Sequence, residues 1–150
     1  MMIAIDTTRY VDFARGEANA VNRLRTAERI LVPLIVMDEL HAGFLASSRG
    51  TENEAGLTRF LNSPRVDVLL ADEDTSHHYA RLFHQARRQA TPIPTNDIWI
   101  AALVAQHQLY LSARDARSIT SRRSPDSETA RSPVRARLPT GRTRRWPPKW

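Results

Sequence analysis

The 150-residue chain has no cysteine, a single lysine (Lys149) and only five glycines. Without cysteine it can form no disulfide, thiolate zinc site or iron–sulfur cluster, which is typical of a reducing cytoplasm. It contains neither a Gly-Lys-Ser/Thr loop nor a Gly-x-Gly-x-x-Gly segment, so the usual fingerprints of nucleotide binding are absent. The longest apolar stretch, residues 30–37, is too short for a bilayer, and the start has no basic signal-peptide region. We therefore expect a cytoplasmic protein without a membrane segment.

The positive charge of the chain is concentrated at one end. The formal net charge is +6, yet residues 1–115 contain 12 Arg and 14 acidic residues, a charge of −2. Residues 116–150 contain nine Arg, one Lys and two acidic residues, a charge of +8. We expect one domain over residues 1–117 and a disordered tail rich in Pro, Arg and Ser over 118–150. The high overall pI is therefore a property of the tail.

Short apolar runs alternate with helical patterns before the tail. Branched apolar residues predict four strands, at 2–6, 30–32, 66–70 and 109–112. Three-to-four spacing predicts helices at 8–15, 17–27, from Pro33 to about 47, from 51 to before Pro64, from about 72 to 89, and from about 95 to 106. The predicted N-terminal caps are Thr51, Asp72 and either Thr95 or Asn96. The alternation predicts an α/β fold with three layers, in which helices cover a central, mainly parallel sheet of four to five strands.

Four acidic residues interrupt or end apolar segments: Asp6, Glu39, Asp97 and Asp115. Asp6 and Asp115 follow predicted strands, and sites form at the carboxyl edge of open parallel sheets. Glu39 shares a helix face with small or apolar residues, and the neighbours of Asp97 point it toward the interior. Each acid has an ordinary explanation by itself: a strand-end turn, a helix cap or, for Asp115 beside Arg114, a surface ion pair. Together they suggest one shared site.

A cluster of carboxylates repels itself, and a bound divalent cation is the usual remedy. An all-oxygen set of ligands suits Mg²⁺ or Mn²⁺ rather than softer metals. Such an ion supports hydrolysis of a phosphate ester. The residues alone do not select the ester.

Four stretches carry a family resemblance: residues 3–8, 32–44, 91–102 and 109–115, of which the third is the most specific. On these residues the chain resembles the PIN-domain ribonucleases, and closely the VapC-type toxins of bacterial toxin–antitoxin systems. The resemblance covers roughly residues 2–117.

The resemblance implies a Mg²⁺-dependent endoribonuclease whose active-site acids are Asp6, Glu39, Asp97 and Asp115. Asp6 and Asp97 would be the principal metal ligands, and the other two would complete the site and orient the attacking hydroxide. Supporting or phosphate contacts would come from Thr7, Thr95 and Asn96. The implied partners are RNA as substrate, a small antitoxin whose C-terminal segment blocks the acidic groove, and a second copy in a homodimer.

The chain departs from the family pattern at Thr8, where asparagine is common, and after Asp115. The family continues there with an aromatic turn and a last strand, whereas residues 118–122 begin the basic tail. We hypothesise that a frame change produced this tail. The altered C-terminus leaves an alternative open: the chain is a catalytically impaired PIN remnant that only binds antitoxin.

Overall fold

The computed structural model describes residues 1–90 and 92–114 of the chain. In this part, two helices separate each strand from the next. The strands are β1 (Met2–Ile5), β2 (Arg29–Pro33), β3 (Val66–Leu69) and β4 (Tyr110–Ser112). The helices are α1 (Thr7–Ala14), α2 (Ala18–Thr26), α3 (Leu34–Leu45), α4 (Gly50–Leu61), α5 (Glu73–Arg88) and α6 (Thr95–Gln106). The four predicted strands are confirmed. Asp115, the domain boundary at 117 and the predicted tail lie outside the described residues.

The sheet is parallel throughout, with the strand order β3-β2-β1-β4. Ile3, Ala4 and Ile5 in β1 are each 0% exposed, although successive residues of a strand point to opposite faces. Helices therefore cover both faces of the sheet, as the predicted three-layer architecture requires.

Helix α6 is apolar around nearly its whole circumference. Every residue from Ile98 to Val104 except Trp99 is buried. A helix of this kind is stable only inside the protein, and α6 packs against α5, α3 and β4. Burying one such aliphatic side chain contributes about 1.5–3 kcal/mol relative to exposure. The core thus fixes the position of the polar first turn of α6.

The strand order reverses between β1 and β4. From β1 the chain builds outward through β2 to β3, and it then returns to place β4 on the other side of β1. In open α/β sheets a crevice forms at the carboxyl ends of strands where the order reverses. Asp6 follows β1 at this point, and residue 115 follows β4 three residues after its end.

The predicted starts of α3 and α4 differ in detail from the observed ones. Pro33 is the last residue of β2 and the N-cap of α3, not a helical residue. Helix α4 begins at Gly50, not at a Thr51 cap, and has no side-chain cap. A Cβ on Gly50 would lie 2.4 Å from the Phe44 carbonyl oxygen, so the chain passes too close to the end of α3 here for any residue but glycine.

The predicted N-cap of α5 is confirmed, whereas the predicted N-cap of α6 is wrong. Asp72 caps α5 in a capping box with Thr75, as predicted. The N-cap of α6 is Pro94, with no side-chain cap bond, so the prediction of Thr95 or Asn96 was wrong. The side chain of Asn96 has another partner, which belongs to the site described below.

The longest helix, α5, has 16 residues and is polar. Across residues 1–90 and 92–114 no helix is long and apolar enough to span a bilayer.

Candidate active site

Asp6 occupies the junction between β1 and α1. It is the N-cap of α1, and its Oδ1 accepts a hydrogen bond of 2.7 Å from the backbone N–H of Arg9. This bond explains why an acid is tolerated at the end of a buried strand. A carboxylate oxygen can accept about two hydrogen bonds, so the group keeps capacity for a ligand.

Glu39 on α3 connects the first turns of two other helices. Its Oε1 accepts a hydrogen bond of 2.7 Å from Asn96 Nδ2 on α6. Its Oε2 accepts a hydrogen bond from the hydroxyl of Thr7 on α1. These bonds bring together residues that are 32 and 57 positions apart in the chain. The carboxylate of Glu39 is thus held at the meeting point of three helices.

Asp97 lies in the first turn of α6, beside Asn96. It is exposed, so the expectation that it points into the interior was wrong: the first turn of α6 reaches past the packed part of the helix. Even so, desolvation by the surrounding protein, and then the charge of Glu39, raise the pKa of Asp97.

Electrostatics also connects Asp6 to this group. Burial is the largest cause that raises the pKa of Asp6, and the charge of Asp97 raises it further, while Arg9 opposes both. Since each acid acts on the next through its charge, Asp6, Glu39 and Asp97 share one neighbourhood at the carboxyl edge of the sheet. The fourth candidate, Asp115, lies outside the described residues.

The three described acids do not form a closed metal site. Among residues 1–90 and 92–114, no group of three or more His, Asp or Glu side chains is close enough to hold a metal ion. The donor chemistry nevertheless fits a hard cation, because the available atoms are carboxylate oxygens. Burial is the largest cause of the raised pKa of Asp6 and of Asp97, and like charges add to it; a cation would relieve this repulsion.

A groove of about 760 Å³ runs from Thr7 and Glu39 between α1, α3 and α4. Its lining includes two aromatic and three arginine side chains: Tyr10, Phe44, Arg15, Arg49 and Arg59. Arg49 is neutralised by two hydrogen bonds to Glu52. The described residues provide no ion-pair partner for Arg15 or Arg59. The groove therefore has an acidic end and a cationic wall.

Sequence reasoning missed a set of charged residues on α1. Asp12 is only 5% exposed and Arg9 only 8%. Asp12 binds Arg114, and Arg9 binds the backbone of Ala113. The available signal was an acid between Val11 and Phe13 in a helix, because a carboxylate among apolar neighbours requires a partner.

Comparison with known proteins is consistent with this geometry. The family model described as PIN domain matches residues 3–121. The chain is 30% identical over 96 residues to ribonuclease VapC1 of Haemophilus influenzae strain R2866, an alignment that covers 64% of this chain and 67% of the relative. The fold is similar to that of VapBC2 from Rickettsia felis bound to a DNA fragment from their promoter, with a TM-score of 0.70. The two chains are 20% identical, and the alignment covers 78% of this chain and 90% of that one. It is also similar to VapBC-5 from Mycobacterium tuberculosis, a member of the VapBC family of toxin–antitoxin systems, with a TM-score of 0.60 and 22% identity, covering 76% and 85% of the two chains.

Proposed function

This chain belongs to the PIN-domain family, and from that premise we propose that it is a VapC-type ribonuclease toxin that hydrolyses phosphodiester bonds in RNA. The observation that carries the proposal is the bridge that Glu39 makes between Thr7 and Asn96. It draws Asp6, the residue before Thr7, and Asp97, the residue after Asn96, toward one place. The similarity to a relative named ribonuclease VapC1 supports the same reaction.

We further propose that Asp6 and Asp97 hold a Mg²⁺ ion, for which Mn²⁺ can substitute. A bound ion would supply positive charge next to the scissile phosphate and make a nearby water more acidic. Asp6 suits this role because the cap bond at Oδ1 fixes the orientation of the carboxylate, which keeps capacity to bind a ligand. Asp97 suits it because its carboxylate is exposed at the same edge.

Glu39 and Asp115 are proposed to complete the acidic site. Glu39 accepts one hydrogen bond at each oxygen, and a carboxylate oxygen can accept about two. It therefore retains capacity to orient the attacking water by accepting its hydrogen. Thr7 and Asn96 act here by holding Glu39 in place, and Thr95, exposed at the start of α6, remains a candidate phosphate contact.

RNA is the proposed substrate because of the groove that leads to the acids. The guanidinium groups of Arg15 and Arg59, which have no ion-pair partner among residues 1–90 and 92–114, suit a phosphate backbone. The rings of Tyr10 and Phe44 lie in the same groove. A strand in this groove would bring one phosphodiester next to Glu39.

A small antitoxin protein is the proposed partner, and a homodimer is the proposed assembly. The similarity to VapBC-5 of a toxin–antitoxin family supports the first of these. A C-terminal antitoxin segment that places an arginine in the acidic groove would pair with the acids of the site and exclude RNA. Purification with the protein encoded by the neighbouring gene, followed by mass measurement of the complex, tests both.

The activity is tested with purified protein and structured RNAs, in Mg²⁺ and after chelation with EDTA. Asp6→Asn and Asp97→Asn should abolish cleavage, because each removes a charge from the site but keeps the shape of the side chain. Asp74→Asn is the matched control, since Asp74 is an exposed acid in the first turn of α5. Cleavage that survives both site substitutions, or that persists in EDTA, would refute the assigned roles.

A catalytically impaired PIN protein that only binds antitoxin is the second candidate. The observation that favours it is that the acids in the described part of the chain form no metal-binding group of three. It predicts a stable complex with antitoxin but no RNA cleavage at any concentration of Mg²⁺ or Mn²⁺. Cleavage that is lost in Asp97→Asn would eliminate this candidate.

A further inference from the structure

Three aromatic rings and one arginine form a continuous stripe where α5 packs against α6. The rings of Tyr79 on α5 and Trp99 on α6 are stacked, with their centroids 4.4 Å apart. Phe83, one turn further along α5, stacks against Tyr79 at 5.9 Å. The guanidinium carbon of Arg87, one turn further again, lies 5.7 Å from the centre of the Phe83 ring. We call Trp99, Tyr79, Phe83 and Arg87 the aromatic ladder.

The aromatic ladder lies at the surface and not in the core. Phe83 is 39% exposed, and Tyr79 and Trp99 are half-buried. None of the three rings belongs to the hydrophobic core that surrounds the sheet. Aromatic side chains normally bury most of their large apolar area, and an exposed apolar patch rimmed by polar residues marks a surface that binds a partner. The ladder is therefore a candidate binding surface.

The charge around the ladder favours an anionic partner. Residues 75–96 contain three Arg, three His and no acidic residue, although residues 1–115 together have a formal charge of −2. The two acids of α5 lie in its first turn, whereas Arg87 and Arg88 lie in its last turn. Neither of these arginines has an ion-pair partner in the part of the chain that the structure describes. The surface is thus both aromatic and cationic.

Single-stranded nucleic acid complements this surface better than a second copy of the chain does. In a two-fold dimer one patch contacts itself, so the arginines of one α5 would face those of the other, and like charges across an interface oppose binding. A single strand offers phosphates to the arginines and unpaired bases to the rings. Unpaired RNA bases stack on aromatic rings and on guanidinium planes, and the ladder presents both.

The ladder begins one helical turn away from the acidic site. Asn96, whose side chain binds Glu39, precedes Trp99 by three residues. Residues three and four apart lie on the same face of a helix, so Trp99 shares a face with Asn96 and with the exposed Thr95. Three residues advance about 4.5 Å along the helix axis. A strand that passes the acids can therefore continue along this face onto the ladder.

We propose that the aromatic ladder binds unpaired bases of the RNA next to the scissile phosphodiester, while the neighbouring Arg88 binds a phosphate. The inference rests on the proposed function, because it assigns a second contact surface to the same substrate. It also restricts the substrate to RNA that is single-stranded beside the cleaved bond, since paired bases are stacked on one another and cannot stack on the ladder.

The test measures how tightly the full chain binds a fluorescein-labelled single-stranded RNA of about 12 nucleotides. Binding is followed by fluorescence anisotropy in EDTA. Phe83→Leu removes one ring but keeps an apolar side chain, and it should raise Kd about 5- to 10-fold, the low end of what one stacked base contributes. Tyr110→Leu is the matched control, because Tyr110 is 64% exposed at the start of β4 and outside the ladder. An unchanged Kd in Phe83→Leu would overturn the proposal.

Salt dependence and a duplex competitor separate stacking from charge. Arg88→Gln should reduce the slope of log Kd against log salt concentration by about 0.7, the value for one phosphate contact on a single strand. Phe83→Leu should leave this slope unchanged. Arg23→Gln is the matched control, since Arg23 is an exposed arginine in the last turn of α2. Duplex RNA of the same sequence should bind the native protein and Phe83→Leu equally; an equal loss for duplex and single strand would contradict base stacking.

Two further measurements distinguish the ladder from its alternatives. If sedimentation shows that Phe83→Leu dissociates a dimer while its RNA affinity is unchanged, the ladder joins two copies and the proposal is wrong. If Phe83→Leu weakens RNA binding but the native protein cleaves no RNA in Mg²⁺, the proposed function fails and the ladder is supported. If the native protein cleaves RNA and Phe83→Leu changes neither binding nor cleavage, the ladder proposal fails alone.

Discussion

Replacing Thr75 by valine removes one polar connection between the start of α5 and the end of α6, and leaves the hydrogen bond of 2.7 Å from Gln106 Nε2 to Asp72 Oδ1 in place. Thr75 is fully buried. Its Oγ1 accepts a hydrogen bond of 2.9 Å from the backbone N–H of Asp72 and donates to Oε1 of Gln106 on α6. Valine has nearly the same shape but neither hydrogen-bonding capacity. The substitution therefore tests how far polar contacts, rather than packing, hold the helix that carries Asn96 and Asp97.

The magnitude follows from the contacts that the hydroxyl loses: the bond that it accepts from the Asp72 N–H, and the single hydrogen that it donates to Gln106 Oε1 or, at 3.1 Å, to Asp72 Oδ1. Each contributes about 0.5–1.5 kcal/mol net, and a partner left unsatisfied in a buried place adds to the loss. The free energy of unfolding should fall by about 2 kcal/mol, which corresponds to a decrease in Tm of roughly 8 °C. Thr75→Ser keeps the hydroxyl and loses one methyl group, so it should cost only about 0.8 kcal/mol.

The assay is urea unfolding followed by circular dichroism, with Thr58→Val as the matched control. Thr58 donates to the Glu54 carbonyl oxygen at 2.9 Å, but its side chain is exposed on α4. Its substitution should change the free energy of unfolding by less than about 0.5 kcal/mol. A Thr75→Val protein as stable as Thr75→Ser would show that the buried hydroxyl contributes nothing and would refute the reasoning.

Two further predictions concern the site and the start of α4. Because the pKa of Asp97 is raised from its ordinary value of 3.8, the native state binds more protons than the unfolded state, and its stability falls as pH rises through this range. In EDTA, Asp97→Asn should therefore be more stable than the native protein at pH 7. Thermal unfolding at a series of pH values should show this gain in stability disappearing below about pH 4. A gain in stability that is the same at every pH would contradict this account. Gly50→Ala should lower the free energy of unfolding by about 1–3 kcal/mol, because its Cβ would lie 2.4 Å from the Phe44 carbonyl oxygen. Gly43→Ala on α3 is the control, since nothing lies within 4 Å of its added Cβ.

The sheet could be predicted from the sequence because each strand is a short run of branched apolar residues. Runs such as Ile30-Leu31-Val32 are too short for a helix and are bounded by polar or turn residues. The parallel arrangement followed from the helices between successive strands. The pattern did not give the order β3-β2-β1-β4, since several orders satisfy the same alternation.

The candidate site was predictable in its residue types and less so in its contacts. Glu39 was identified because a carboxylate on an apolar helix face is costly to bury without a partner. Its bonds to Thr7 and Asn96 depend on how three helices meet, which local spacing does not encode. The exposure of Asp97 was missed for a related reason: helical periodicity indicates a direction but not where the packed layer ends. The pairing of Asp12 with Arg114 spans 102 residues, and nothing in the local pattern selects that arginine.

The central strand β1 has a consequence for synthesis of the protein on the ribosome. Met2–Ile5 is made long before Tyr110–Ser112, so one of the two edges of β1 is completed only when β4 has been made. Contacts so distant in sequence form slowly, and β1 exposes an unpaired apolar edge in the meantime. The carboxyl edge of the sheet between β1 and β4 is therefore assembled late, so a nascent chain remains without this crevice until β4 has left the exit tunnel.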